Sequence, residues 1–136
     1  MPLKQKLLIP QILVLMYWYK FRVRHRPFSE VAQNIGRLGY ETPREPSSGN
    51  AWLVHDLMEA MQRRLQWKDS CLIRALTARK LLNRMGERCT LYMGVCKLEG
   101  QPMEAHAWLR CGRLIVTGGD SMAGFTVTAV FGDEAV

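Results

Sequence analysis

Three residues in the second half of the chain have the types and spacing to act on an acyl group. Cys71 follows Asp69-Ser70 and heads a run with helical character from Leu72 to Met85. His106 lies in Met103-Glu104-Ala105-His106-Ala107-Trp108-Leu109-Arg110, and Asp120 closes the turn-rich Thr117-Gly118-Gly119-Asp120. A thiol becomes a strong nucleophile when an imidazole takes its proton, and a carboxylate can hold that imidazole in the useful tautomer. The expected assignment is Cys71 as nucleophile, His106 as base and Asp120 as the orienting acid.

Those roles need elements that hold them. Ser70, or Asp69 one residue earlier, is expected to cap a helix that starts at Cys71, placing the thiol where free backbone N–H groups and the helix dipole favour negative charge. Leu72, Ile73, Ala75, Leu76, Ala78, Leu81, Leu82 and Met85 are too many for one narrow stripe, so this helix should be covered on several sides, with Gly86 as its stop. Period-two alternation puts Glu104, His106, Trp108 and Arg110 on one face of a strand. Further strands are expected over 89–97, 113–117 and 125–131, with Phe125, Val127, Ala129 and Phe131 sharing a face. The short connections imply an antiparallel sheet with helices on one side, an α+β architecture.

The rest of the chain sets the frame. At 136 residues it is expected to form a single compact domain overall, organised as an N-terminal helical arm over 1–40, a linker over 41–49 and a catalytic core over 50–136. The linker reading rests on two prolines, two serines and a glycine between Tyr40 and Gly49. Ser29 is expected to cap a short helix before it, and Asn50 the helix after it. His25 and His55 read as ordinary histidines. Residues 3–24 read as a helix, apolar from Leu7 to Phe21 and flanked by Lys4, Lys6, Lys20, Arg22 and Arg24. That run is shorter than the roughly 20 apolar residues a spanning helix needs, and it lacks a cleavage site of small residues. It is expected to pack on the domain or a partner, or to lie at a membrane interface. The net charge of +7 favours acidic partners. Four cysteines without metal-type spacing in a chain lacking a cleavable signal suggest free thiols in a reducing cytoplasm, with no metal site.

The run Cys71-Leu72-Ile73-Arg74-Ala75-Leu76-Thr77-Ala78-Arg79-Lys80-Leu81-Leu82-Asn83-Arg84-Met85-Gly86, then Leu91-Tyr92-Met93-Gly94-Val95, Glu104-Ala105-His106-Ala107-Trp108-Leu109 and Gly112-Arg113-Leu114-Ile115-Val116-Thr117-Gly118-Gly119, resembles the leader peptidase of bacterial lasso-peptide biosynthesis. That family is similar to the transglutaminase/papain-like cysteine proteases and uses a Cys-His-Asp triad. The resemblance implies Cys71 as nucleophile and His106 as base. Many relatives place the acid a little nearer the histidine, where this chain has Gly118 and Gly119, which leaves Asp120 as the nearby carboxylate.

The resemblance further implies a hydrolase of ribosomal-peptide maturation that needs no cofactor. Its expected partners are the lasso-peptide precursor, a separate leader-binding protein and an ATP-dependent cyclase that receives the core peptide. No room for a fused leader-recognition domain is expected. Gln66 and Trp67, just before the nucleophile, are candidates for an oxyanion donor beside the Cys71 N–H, and Trp108 either walls the site or simply packs. Arg74, Arg79, Lys80 and Arg84 either bind acidic leader residues or form a solvated face. The rival functions are a transglutaminase-like acyl transfer through the same thioester, a basic nucleic-acid module for which no motif exists, and a non-catalytic membrane-associated scaffold.

Overall fold

The computed structural model describes residues 3–33, 35–65, 70–97, 99–119 and 124–134. In chain order these form helix α1 (Leu3–His25), helix α2 (Phe28–Ala32), strand β1 (Arg37–Leu38), helix α3 (Gly49–Leu65), helix α4 (Cys71–Arg84), and strands β2 (Thr90–Cys96), β3 (Glu104–Cys111), β4 (Leu114–Thr117) and β5 (Thr126–Gly132). The strands make one sheet in the order β1-β5-β2-β3-β4, with every neighbouring pair antiparallel. This is the expected α+β architecture.

Helix α4 is the axis of the core. Ile73, Ala75, Leu76, Thr77, Ala78, Leu81 and Leu82 are buried because β3, β4 and α3 cover part of the helix and α1 covers another part. Leu8, Ile12, Leu15, Met16 and Tyr19 carry α1 into the same hydrophobic cluster, at the three-and-four spacing of a single helix face. The arm therefore shares one core with the sheet. Helix α4 ends where glycine permits: Gly86 has φ of 84°, its N–H bonds Asn83 O, and Glu87 N–H bonds Leu82 O. On the second half of α4, Arg79 Nη2 meets Asp133 Oδ1 at 2.6 Å, and Asp133 Oδ2 accepts from Asn83 and from Cys89 N–H. Arg79 thus makes a part-buried ion pair with the chain after β5 and does not belong to a solvated face.

The expected caps shift. Ser29 lies inside α2, which begins after Pro27. Helix α3 starts one residue before Asn50, and the side chain of Ser48 accepts from Ala51 N–H at 3.2 Å. Serine is as good an N-cap as asparagine, so the earlier one extends the helix. Ser70 holds the N-cap position of α4, yet its side chain makes no cap hydrogen bond.

The 41–49 stretch, expected as a linker, is irregular up to Ser48 but strapped to the sheet. Arg110 is 1% exposed and donates through Nη2 to Thr42 O at 2.7 Å, through Nη1 to Gly112 O at 2.7 Å, and through Nε to Tyr92 Oη at 3.0 Å. Tyr92 in turn donates to Glu41 Oε1 at 2.6 Å. Thr42 N–H donates to Thr90 Oγ1, and Ser47 Oγ donates to Cys111 O while accepting from Leu114 N–H. Two prolines, two serines and a glycine marked this stretch as a linker. The acceptors it exposes also serve a buried guanidinium.

Candidate active site

Cys71 is the first residue of α4, and β3 presents residues 104–107 beyond the end of β4, whose pairing with β3 runs only from Leu109 to Cys111. A cavity of about 610 Å³ opens at this place, lined by Cys71, Leu72, Met93, Met103, Glu104, Ala105, His106 and Ala107. Cys71 and His106, 35 positions apart in sequence (106 less 71), therefore border one space.

They reach it from different sides of the sheet. Leu91, Ala107 and Leu109 join the cluster under α4, and Met93 and Cys71 pack against it. The ring of His106 stands on the opposite face with Trp108 and Arg110, as the alternation predicted. Among the described residues no hydrogen bond links the Cys71 thiol to the ring. Both border the cavity beside the part of β3 that β4 leaves unpaired.

The ring itself is fixed. His106 Nε2 lies 3.0 Å from Gly118 O. A carbonyl only accepts, so Nε2 carries the proton and Nδ1 is left as the basic atom of the neutral imidazole. Gly118 has φ of 76°, and a Cβ there would stand 2.7 Å from Ala107 O, 3.0 Å from Trp108 Cβ and 3.1 Å from His106 Nε2. Only glycine brings its carbonyl to the ring at that angle without collision. This carbonyl is the orienting group that sequence reasoning missed. Asp120, expected in that role, lies outside the described residues, as do Gln66 and Trp67.

Aromatic contacts hold the imidazole from its own face. Trp108 is buried and stacks on both Tyr92 and His106, with ring centroids 5.8 Å apart in each case. Gly94, opposite His106 in the β2–β3 ladder, makes room for it: a Cβ there would fall 3.0 Å from Trp108 Cη2 and 2.9 Å from Thr126 O. Phe125 lies 5.3 Å from the His106 ring. Its arrival there corrects the expectation that Phe125, Val127, Ala129 and Phe131 share a face. The pairing of β5 with β2 runs Leu91↔Phe131 and Met93↔Ala129, then shifts so that Gly94 faces Val127. This bulge, at which Thr128 Oγ1 donates to Met93 O, moves Val127 and Phe125 to the His106 side.

The other candidates fall elsewhere. His55 sits between Asp56 and Glu59, at 3.0 and 3.3 Å, and lines a separate cavity of about 220 Å³ behind Gly118. Cys89 and Cys111 are buried in the core, and a hydrogen bond with Cys111, together with burial, pushes the Cys89 thiol well above its usual range. Cys89 therefore stays protonated, the wrong state for a nucleophile. Cys71 is the cysteine that borders the cavity with a histidine.

A family model described as the transglutaminase-like superfamily matches residues 13–130 of the chain. No curated protein and no solved structure matches it.

Proposed function

We propose, since the chain belongs to the transglutaminase-like superfamily, that it is a cysteine peptidase that removes the leader from a lasso-peptide precursor. The superfamily includes cysteine peptidases and acyltransferases, which share the thioester chemistry. The observation that carries the reading is the single cavity bordered by Cys71 and by a histidine whose Nε2–H is already spoken for.

In this mechanism the Cys71 thiol gives its proton to His106 Nδ1, and Sγ attacks the carbonyl carbon at the leader–core junction. Backbone N–H groups at the start of α4 stabilise the oxyanion. The tetrahedral intermediate collapses, the C–N bond breaks, and the imidazolium returns its proton to the departing amine of the core peptide. Water, deprotonated by the same imidazole, then hydrolyses the thioester and restores the thiol. The freed amine is the group a separate ATP-dependent cyclase consumes, and a separate leader-binding protein delivers the precursor. Asp120 serves as the charge that stabilises the imidazolium, and Gln66 and Trp67 contribute to the oxyanion site.

The test is incubation of a precursor and its leader-binding protein with the enzyme, followed by mass spectrometry. Free leader with a new carboxyl end supports the peptidase. A leader that gains the mass of an added amine, with no hydrolysed leader, identifies an acyltransferase instead.

Two variants divide the labour around the ring. Gly118→Ala should displace the carbonyl from Nε2 and lower kcat about 10- to 100-fold, the effect of a misplaced base. The left-handed backbone should cost about 1–2 kcal/mol in addition. Activity equal to wild type would show that this carbonyl does not orient the ring. Asp120→Ala should lower kcat about 10-fold or more without changing the melting temperature. Unchanged turnover would remove Asp120 from the site and leave the Cys71–His106 pair acting alone.

A further inference from the structure

Helix α1 is apolar on nearly all sides, a pattern that belongs to helices surrounded by protein or lipid. Only one side is covered. While Leu8, Ile12, Leu15, Met16 and Tyr19 enter the core, Leu7 is 61% exposed, Val14 68%, Trp18 47% and Phe21 59%. Leu7, Val14 and Phe21 recur every seven residues and Trp18 falls between the last two, so they form one outward stripe about four turns in length. An apolar stripe of this kind is uncommon on the free surface of a monomer.

Its charge says what covers it. The helix contains no acidic residue, whereas Lys6, Arg22 and Arg24 flank the stripe and Arg26 follows it. Arg22 lies over the Trp18 ring at 4.9 Å, so the cation and the indole are presented together. No helix among the described residues is long and apolar enough to cross a membrane. An apolar face with indole and phenyl groups, rimmed by cations and too short to span, is built to lie in the plane of a bilayer.

We propose that the outward face of α1 docks the protein peripherally on an anionic lipid surface, with Leu7, Val14, Trp18 and Phe21 in the acyl boundary and the flanking cations at the headgroups. The core-facing side of α1 keeps its contacts with α4, so docking needs no rearrangement of the fold. This inference does not rest on the peptidase reading and is measured without a substrate.

The experiment is co-sedimentation of the full chain with vesicles of phosphatidylcholine alone and of equal parts phosphatidylcholine and phosphatidylglycerol. Binding is expected on the anionic vesicles, weakened by salt, with each basic residue at the surface contributing about fivefold. Val14→Glu with Phe21→Glu, both at exposed positions, should reduce partitioning at least about tenfold at unchanged melting temperature. If that pair does not fold, Arg22→Glu with Arg24→Glu serves: it should reduce binding to anionic vesicles and flatten the salt dependence. Failure to sediment with either vesicle overturns the proposal. So does binding that neither pair of substitutions alters, and so does a dimer abolished by Val14→Glu with Phe21→Glu in a protein that ignores lipid.

Discussion

Cys71→Ala is expected to abolish release of the leader, by about 10⁴-fold or more in kcat/KM, and His106→Ala to do nearly the same. In the proposed mechanism the two act as one unit. Without the sulfur no acyl intermediate forms, and without the ring the thiol keeps its proton and the leaving amine finds none. The double variant should therefore be no slower than either single one, a non-additivity that separates a working pair from two independent structural effects. Both variants should melt near the wild-type temperature, because Cys71 and His106 are only partly buried at the rim of a cavity. Leader release by Cys71→Ala at the wild-type rate would rule out the thiol as nucleophile. Cys89 could not take its place, since its proton is held by burial beside Cys111.

The second large effect concerns stability. Arg110→Leu should destabilise the protein by about 3 kcal/mol or more, since buried acceptors left without donors cost about 1–3 kcal/mol each. Thr42 O and Gly112 O would lose donors 2.7 Å away, and Tyr92 Oη would lose the Nε–H that supports its bond to Glu41. The 41–48 strap would then keep the Thr42 and Ser47 bonds but lose its anchor on the sheet face that Trp108 and His106 occupy. In a chain of this size the loss corresponds to a melting temperature lower by about 10 °C, measured by calorimetry or circular dichroism. Arg110→Lys should recover only part of it, because one ammonium cannot replace a planar fork that serves five partners, Tyr92, Pro43, Gly112, Thr42 and Thr90. A melting temperature within about 1 °C of wild type for Arg110→Leu would show that the strap holds without it.

Much of the molecule was legible where one physical signal dominated. The excess of apolar residues after Cys71 required a helix covered on several sides, and α4 has sheet, α3 and α1 around it. Alternation alone placed His106, Trp108 and Arg110 together, and the short turns implied antiparallel pairing, though not the strand order. The misses arose where tertiary contacts override local pattern. Strand β1 is two exposed residues, too short for any periodicity, and exists because it pairs with Phe131 and Gly132. The bulge opposite Met93 and Gly94 breaks a period that the β5 sequence keeps, so Phe125 leaves the face of Ala129 and Phe131 and reaches the His106 ring. The burial of Arg110 was not legible, because alternation says which residues share a face and not what covers it. Gly118 looked like a turn residue. Its φ of 76° does make a turn, and the same conformation delivers the carbonyl to His106. Helix α1 was the least legible of all, since a segment apolar all round does not say which side the core will take.

The most direct measurement is capture of the covalent intermediate. Wild-type enzyme mixed with precursor and quenched in acid should show, by intact mass and then by peptide mapping, the leader fragment in thioester linkage to the peptide containing Cys71, absent in Cys71→Ala. A leader fragment attached to Cys89, Cys96 or Cys111 instead, or leader release with no thioester at any cysteine, would contradict the account.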